Sequence, residues 1–318
     1  MVVPCFKESF EFLARIPTPP PEQTLLLIGV LNRPETDSDI DANHALRNYV
    51  KEQASSSPIA GITLCQLTPA TTLLMIDLEH LEGATPSTEG VGRARRAGCD
   101  LALWLMQQGH IESEWIYSTD ADAQWPSHYL SQAWPTDAAA ISLPFQHVVD
   151  ADTPLGRATL IYELWLHHYI LGLELSASEY AFHTLGSCCG FHAHCYGAVR
   201  GVPLRAGAED FYLLNKLAKM GQIYRPPGPP VLIQARASDR VPFGTGPAVT
   251  RLMASGEPES TPFFYHPECF TALQVVLASF PTWLARVNPN ISEDLSLKLP
   301  KPLALAATAQ LSKLGLPQ

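Results

Sequence analysis

The chain has 318 residues, 46% hydrophobic and 16% charged, enough apolar material for one large core or a core domain with an appendage. Its 21 basic and 31 acidic residues leave a net charge of -10 with no offsetting basic stripe, which argues against binding along a nucleic-acid backbone. A compact anionic ligand would need local cations or a metal.

The first strand candidate, Val2 to Cys5, starts beside Met1 and leaves no room for a signal peptide. Leu25 to Leu31 reads as a buried strand and is the longest apolar run, far short of the roughly 20 residues of a membrane helix. Asp39 and Asp41 offer caps for a helix with Ala42, Leu46, Tyr49 and Val50 on one face. Thr72 to Ile76 is a further strand. A helix from Gly90 to Gln108 follows, with Val91, Leu101, Ala102 and Leu105 inward and Gly109 closing it. Trp115 to Tyr117 and Ala138 to Leu143 complete the strands. This alternation predicts an α/β sheet, mainly parallel, with ligands at the carboxyl ends of its strands.

Beyond it, residues 154–175 read as a helix with a stripe of Leu160, Leu164, Trp165, His168 and Leu171. Glu209 to Met220 is a second helix with Phe211, Leu214 and Leu217 inward. Residues 225–262 are rich in proline and glycine and read as loop. His266 is a cap-region residue before a last helical stretch carrying Phe270, Leu273, Val276, Leu277 and Phe280. Seven cysteines without framework spacing read as reduced thiols, and the cytoplasm is the expected compartment.

Three features carry chemistry. Asp120-Ala121-Asp122 lies just past a strand end, where two hard carboxylates can hold Mg2+ or Mn2+ together with substrate phosphates. Glu209-Asp210 opens a helix, where a carboxylate can cap, or can serve as general base to a hydroxyl within hydrogen-bond reach. The glycines of Gly90-Val-Gly92-Arg93-Ala-Arg95-Arg96-Ala-Gly98 permit close backbone approach, and arginines near a helix start suit anionic groups.

In their order these pieces resemble a family-2 glycosyltransferase. The resemblance covers about residues 2–224. It rests on Val3-Pro4-Cys5-Phe6-Lys7-Glu8, Gly92-x-x-Arg95-x-x-Gly98, Thr119-Asp120-Ala121-Asp122 and Glu209-Asp210, with the turn Gly186-Ser187 and Gly201 before the last pair. It implies a GT-A fold, a mixed and mainly parallel sheet flanked by helices. It implies transfer of a sugar from a nucleotide-diphosphate donor to a hydroxyl acceptor, with Mn2+ or Mg2+ as cofactor. Pro4 and Glu8 would lie near the nucleotide base, Asp120 near the ribose or metal, and Asp122 on the metal. Gly92 and Arg95 would accompany the donor. From the Glu209-Asp210 pair, Asp210 would deprotonate the acceptor, with inversion at the anomeric centre.

The sequence departs from the family in places. Lys7 stands where Asn is common, and Asn32 stands where an acidic residue usually contacts the base. No Gln-x-x-Arg-Trp motif follows Asp210, against a processive synthase. Arg236 and Arg240 are expected to fold over the donor diphosphate. Trp125, His192 and His194 are carried as acceptor contacts. Cys188-Cys189, His192, His194 and Cys195 lack the two separated ligand pairs of a structural zinc site, and strand alternation would set His192 and His194 on one face.

The expected organisation is a catalytic domain at 1–224 and a loop-and-helix appendage at 225–318 that closes the site or mediates dimerisation. No integral membrane segment is expected. Two rival readings are a retaining GT-A transferase making a small glycoside, and a non-catalytic nucleotide-sugar-binding protein.

Overall fold

A computed structural model of the chain describes residues 1–235, 244–254, 264–286 and 289–313. The chain divides into two compact units. The first is Met1–Leu160 with Thr184–Pro258, and the second is Ile161–His183 with Glu259–Gln318.

The first unit opens with β1 (Val2–Cys5), a 3-10 helix (Phe10–Arg15), β2 (Leu25–Leu31) and α1 (His44–Glu52). Next come β3 (Ser56–Ile59), β4 (Ile62–Thr68), β5 (Thr71–Asp77), α2 (Leu78–Glu82) and α3 (Gly90–Gln107). Then follow β6 (Trp115–Ser118), β7 (Ala123–Gln124), β8 (Ala138–Ser142), β9 (Phe145–Val148) and the start of α4 (Pro154–Leu175). After the chain returns come β10 (Cys189–His192), α5 (Ala193–Ala198), α6 (Glu209–Leu217), β11 (Gln222–Tyr224), β12 (Val231–Gln234) and α7 (Thr245–Ala254).

The main sheet has the order β11-β8-β10-β6-β1-β2-β5-β4-β3, and β7-β12-β9 form a small second sheet. In the main sheet β10 and β4 run against the other strands, so it is mixed but mostly parallel, as expected. The inner strands β1 and β2 are buried at almost every position, which is why they read as continuous apolar runs. Helix α3 lies against them through Gly98. A methyl there would meet Val2 Cγ1 at 2.4 Å and Val30 Cγ2 at 3.1 Å, so only glycine lets the helix sit this close.

Several expectations change. β3 and β4 form a hairpin on the sheet edge that the apolar pattern did not signal, because β3 is exposed at all four positions. Helix α1 starts at His44 with Asn43 at its cap, whereas Asp39 and Asp41 shape the turn before it. The buried face of α3 is Gly92, Ala94, Arg95, Gly98, Cys99 and Ala102, and Val91, Leu101 and Leu105 are only partly covered. On α6 the inward residues are Leu213, Leu214 and Leu217, while Phe211 is 44% exposed. Residues 225–262 are not all loop, since β12 pairs with both β7 and β9 and α7 follows. That pairing places the segment just after residue 224 in the first unit, across the expected domain boundary.

The second unit holds the rest of α4, then α8 (Pro267–Ala285), α9 (Ile291–Lys298) and α10 (Lys301–Lys313). Val276, Trp283, Ile291, Leu295, Leu299, Ala304 and Leu311 form its core. Along α4 the expected stripe is split, with Leu160, Leu164 and Leu171 exposed but Trp165 and His168 partly covered, His168 edge-on to Phe270 at 5.6 Å. The glycine at 172 decides this, because the Phe270 ring occupies the space its side chain would fill and turns Ile170 and Leu173 inward. His266 caps α8, its Nδ1 accepting from the Glu268 N–H at 3.3 Å. Among the described residues α8 is the one helix long and apolar enough to cross a membrane by length and composition, although it contributes Val276 and Trp283 to this core. All seven cysteines are free, and burial pushes Cys99 and Cys188 up to about 12.

Candidate active site

β6 runs parallel to β1 with Ser118 level with Val2, and the Thr119 N–H donates to the Val2 carbonyl at 3.0 Å. The chain beyond Ser118 therefore continues beside β1, and Asp120 to Asp122 emerge at the carboxyl edge of the parallel strands. A turn closes there, with the Ala123 N–H donating to the Asp120 carbonyl at 3.1 Å. Arg15, from the 3-10 helix after β1, donates through Nη2 to the Ala121 carbonyl at 2.8 Å.

Arg95 ties this edge to α6. It projects from the first turns of α3, is 3% exposed, and each of its three guanidinium nitrogens donates to the protein. Nε donates to Glu209 Oε1 at 3.2 Å, and Nη2 to Asp120 Oδ1 at 2.9 Å. Nη1 donates to Ser118 Oγ at 2.5 Å and to the Gly186 carbonyl at 2.9 Å. Burial works against its charge, but Asp120 and then Glu209 outweigh it and hold Arg95 above its ordinary value. Arg95 and Asp120, each expected at the donor, instead meet in a direct ion pair. Glu209 is 4% exposed and turned onto this arginine, which makes it a support for Arg95.

The approach of α3 to α6 depends on glycine. A methyl on Gly92 would lie 2.9 Å from the Pro203 carbonyl oxygen, and one on Gly90 would lie 2.7 Å from that of Ala206. Gly186 is as tight as Gly90, since its methyl would lie 2.7 Å from Arg95 Nη2. Ala208, just before α6, takes a left-handed conformation with φ of 57°. Such strain at a non-glycine residue persists only where the surroundings fix it.

Asp210 follows at the start of α6. Its Oδ2 accepts from the Gly186 N–H at 2.8 Å and its Oδ1 from the Phe211 N–H at 2.7 Å. Burial raises its pKa, and the neighbouring Glu209 raises it further. Arg95 and the two N–H bonds pull the other way, leaving Asp210 at about 7. A carboxyl group poised there can both take and give a proton near neutrality.

Other expected residues fall into place unevenly. Pro4 is buried in β1, opposite Val30. Burial pushes the Cys5 thiol up, and the negative charges of Glu8 and Asp120 add to it, so both carboxylates flank the end of β1. Asn32 is buried at the end of β2, its carbonyl accepting from Asn43 Nδ2 at 2.9 Å. Asn43 also accepts the Lys7 N–H at 3.1 Å, where Lys7 has a φ of 55°. That left-handed backbone suits an asparagine better than a lysine.

Of the three residues expected as acceptor contacts, Trp125 lies beside this edge and His192 lies away from it. Trp125 is 3% exposed and its Nε1 donates to the Ser187 carbonyl at 2.8 Å, so it braces the 186–187 turn and offers no stacking face. His192 is in register with Trp115, at the opposite end of β6 from Ser118. β10 ends there and α5 begins, so the exposed His194 lies on a helix and does not share a strand face with His192. Arg236 and Arg240 lie outside the described residues.

Among the described residues no group of three or more His, Cys, Asp or Glu side chains is placed to hold a metal ion. The Asp120 side chain is 35% exposed and Asp122 is partly exposed, so their hard oxygens suit a cation that completes its shell from phosphate and water. Sequence reasoning missed Arg15, for which no motif exists, and Ser118 as an Arg95 partner.

No protein-family model matches the chain, and no curated protein matches it. Among solved structures it is similar to a mannosyltransferase from Pyrobaculum calidifontis, solved in complex with GDP-Man and Mn2+. The two share 18% sequence identity over 98% of this chain and 83% of that one, with a TM-score of 0.43.

Proposed function

We propose that the chain is a metal-dependent glycosyltransferase of GT-A type, moving a sugar from a nucleotide-diphosphate donor to a hydroxyl acceptor with inversion. One observation carries this reading. Asp210, poised at about 7, is held in the same hydrogen-bonded network as the buried Arg95 and Glu209 and the half-buried Asp120, at the carboxyl edge of β1 and β6.

In this reading Asp210 accepts the proton of the acceptor hydroxyl. The acceptor oxygen bonds to the anomeric carbon as the bond from that carbon to the diphosphate oxygen breaks. The electron pair leaves with the nucleoside diphosphate, and attack from the face opposite the leaving group inverts the centre. Gly186 and Phe211 stabilise the ionised carboxylate through their N–H groups, and Arg95 fixes Asp120 while neutralising Glu209. Asp120 and Asp122 would hold a divalent cation, which when bound supplies positive charge to the departing diphosphate. Pro4, Glu8 and Asn32 bound the nucleotide side.

The test is a thermal-shift panel of GDP- and UDP-sugars with and without Mn2+. Metal-dependent stabilisation by one donor is expected, since a ligand at 100 times its Kd adds about 2.7 kcal/mol. No shift with any donor would overturn the proposal. Anomeric NMR of the product separates inversion from retention. Donor binding without turnover for every acceptor would leave a binding protein.

A further inference from the structure

We infer that Arg15 receives the donor's diphosphate directly, an assignment that rests on the glycosyltransferase reading above. The 3-10 helix Phe10–Arg15 returns its last residue to the carboxyl edge of the sheet. There Arg15 Nη2 donates to the carbonyl of Ala121, the residue between Asp120 and Asp122. Its Nε is buried and has no hydrogen-bond partner, and among the described residues Arg15 makes no ion pair.

The contrast with Arg95 is informative. Arg95 spends four of its five N–H groups on Asp120, Glu209, Ser118 and Gly186, which leaves at most one for a ligand. Among the described residues Arg15 makes one hydrogen bond, although its neighbours include an acidic turn. Buried N–H donors are nearly always paired, and one left open calls for an explanation. Clamping the turn needs only the single bond to Ala121 and leaves Nε unexplained. A guanidinium presents parallel N–H groups that match phosphate oxygens two at a time. Because Arg15 holds the turn that carries both aspartates, the anion within its reach is the one whose charge a metal held by those aspartates would neutralise. That anion is the diphosphate.

The experiment uses the full chain as wild type, R15M and R15K, titrated calorimetrically with GDP, UDP, GMP and UMP, each with Mn2+ and with EDTA. For the nucleotide the wild type prefers, R15M is expected to weaken diphosphate binding at least tenfold, about 1.4 kcal/mol. Monophosphate binding stays unchanged, and in EDTA the diphosphate preference disappears. R15K, which keeps the charge without the fork, recovers part of the affinity and keeps the test available if R15M does not fold. Equal weakening of monophosphate and diphosphate would reduce Arg15 to a brace for the turn, and no weakening would remove it from the site. A wild type that binds none of the four nucleotides overturns the glycosyltransferase reading itself.

Discussion

The strand pair β6 and β10 has two ends of opposite character. At the Ser118–Cys189 end, Arg95, Asp120, Glu209, Asp210 and Gly186 form one charged network joined by hydrogen bonds. At the Trp115–His192 end the same strands carry an aromatic cluster. Trp115 lies edge-on to His192 at 5.5 Å and to Trp134 at 6.2 Å, and Trp134 Nε1 donates to the Tyr117 hydroxyl. Both ends contain titratable side chains. Only the first gathers carboxylates around a buried guanidinium, where burial and then neighbouring charge move a pKa and make a carboxyl group chemically useful.

Breaking the charged end should therefore cost far more than breaking the aromatic one. The largest effect is expected from D210N, which should lower kcat by about 10²- to 10⁴-fold while leaving nucleotide binding intact. Steady-state rates set against calorimetric affinities would check it, and comparable activity would remove Asp210 as the base. Next comes R95M. It strands Glu209 in the interior without a counter-charge, and removing one partner of a buried pair costs about 3–5 kcal/mol. Denaturant unfolding measures this directly.

The pH response sharpens the comparison from another side. With Asp210 at about 7, kcat/KM should rise roughly tenfold per pH unit below 7 and then level off. Stability should move the opposite way. The folded state holds this proton to higher pH than the unfolded chain, whose carboxyl titrates near its ordinary value. Between about pH 4 and 7 the folded state binds more protons, and its stability declines as pH rises through that window. The difference in Tm between wild type and D210N, followed across pH, isolates this contribution.

A smaller effect is expected from G186A. The new methyl would press on the locked Arg95 guanidinium, an overpacking of about 1–3 kcal/mol, and would shift the N–H that Asp210 accepts from. Activity and stability should fall together. Smallest of all is H192A, at the aromatic end. His192 Nδ1 is buried without a partner and Nε2 faces only the exposed Glu114 at 3.9 Å, so its removal orphans no buried group, and a loss of about 1 kcal/mol or less is expected from the edge contact with Trp115. Unchanged kinetics in H192A would confine the chemistry to the Ser118 end. A large fall in activity would return an acceptor role to His192.

Much of the frame was legible beforehand. The apolar runs at Leu25–Leu31 and Thr72–Ile76 and the helix closed by Gly109 follow from local periodicity and turn chemistry, and the strands and helix appear there, the second strand one residue longer at each end. The hairpin of β3 and β4 was not legible, because an edge strand with no buried position leaves no apolar alternation to read. Phe211 and the leucines of α4 show the complementary failure. Helical spacing told which residues share a face, but only the packing partner decides which face turns inward.

The candidate site divides along the same line. Sequence by itself determined that Asp120 and Asp122 follow a strand, that Glu209 and Asp210 open a helix, and that glycines space the start of α3. Those facts depend on neighbours a few residues apart. Only the tertiary structure decided that Arg95 joins Asp120 to Glu209, 114 positions further along, that Gly186 donates to Asp210, and that Arg15 meets the Ala121 carbonyl across 106 positions. A pKa near 7, and a cation with donors to spare, exist only once distant segments have removed water and arranged the charges around them.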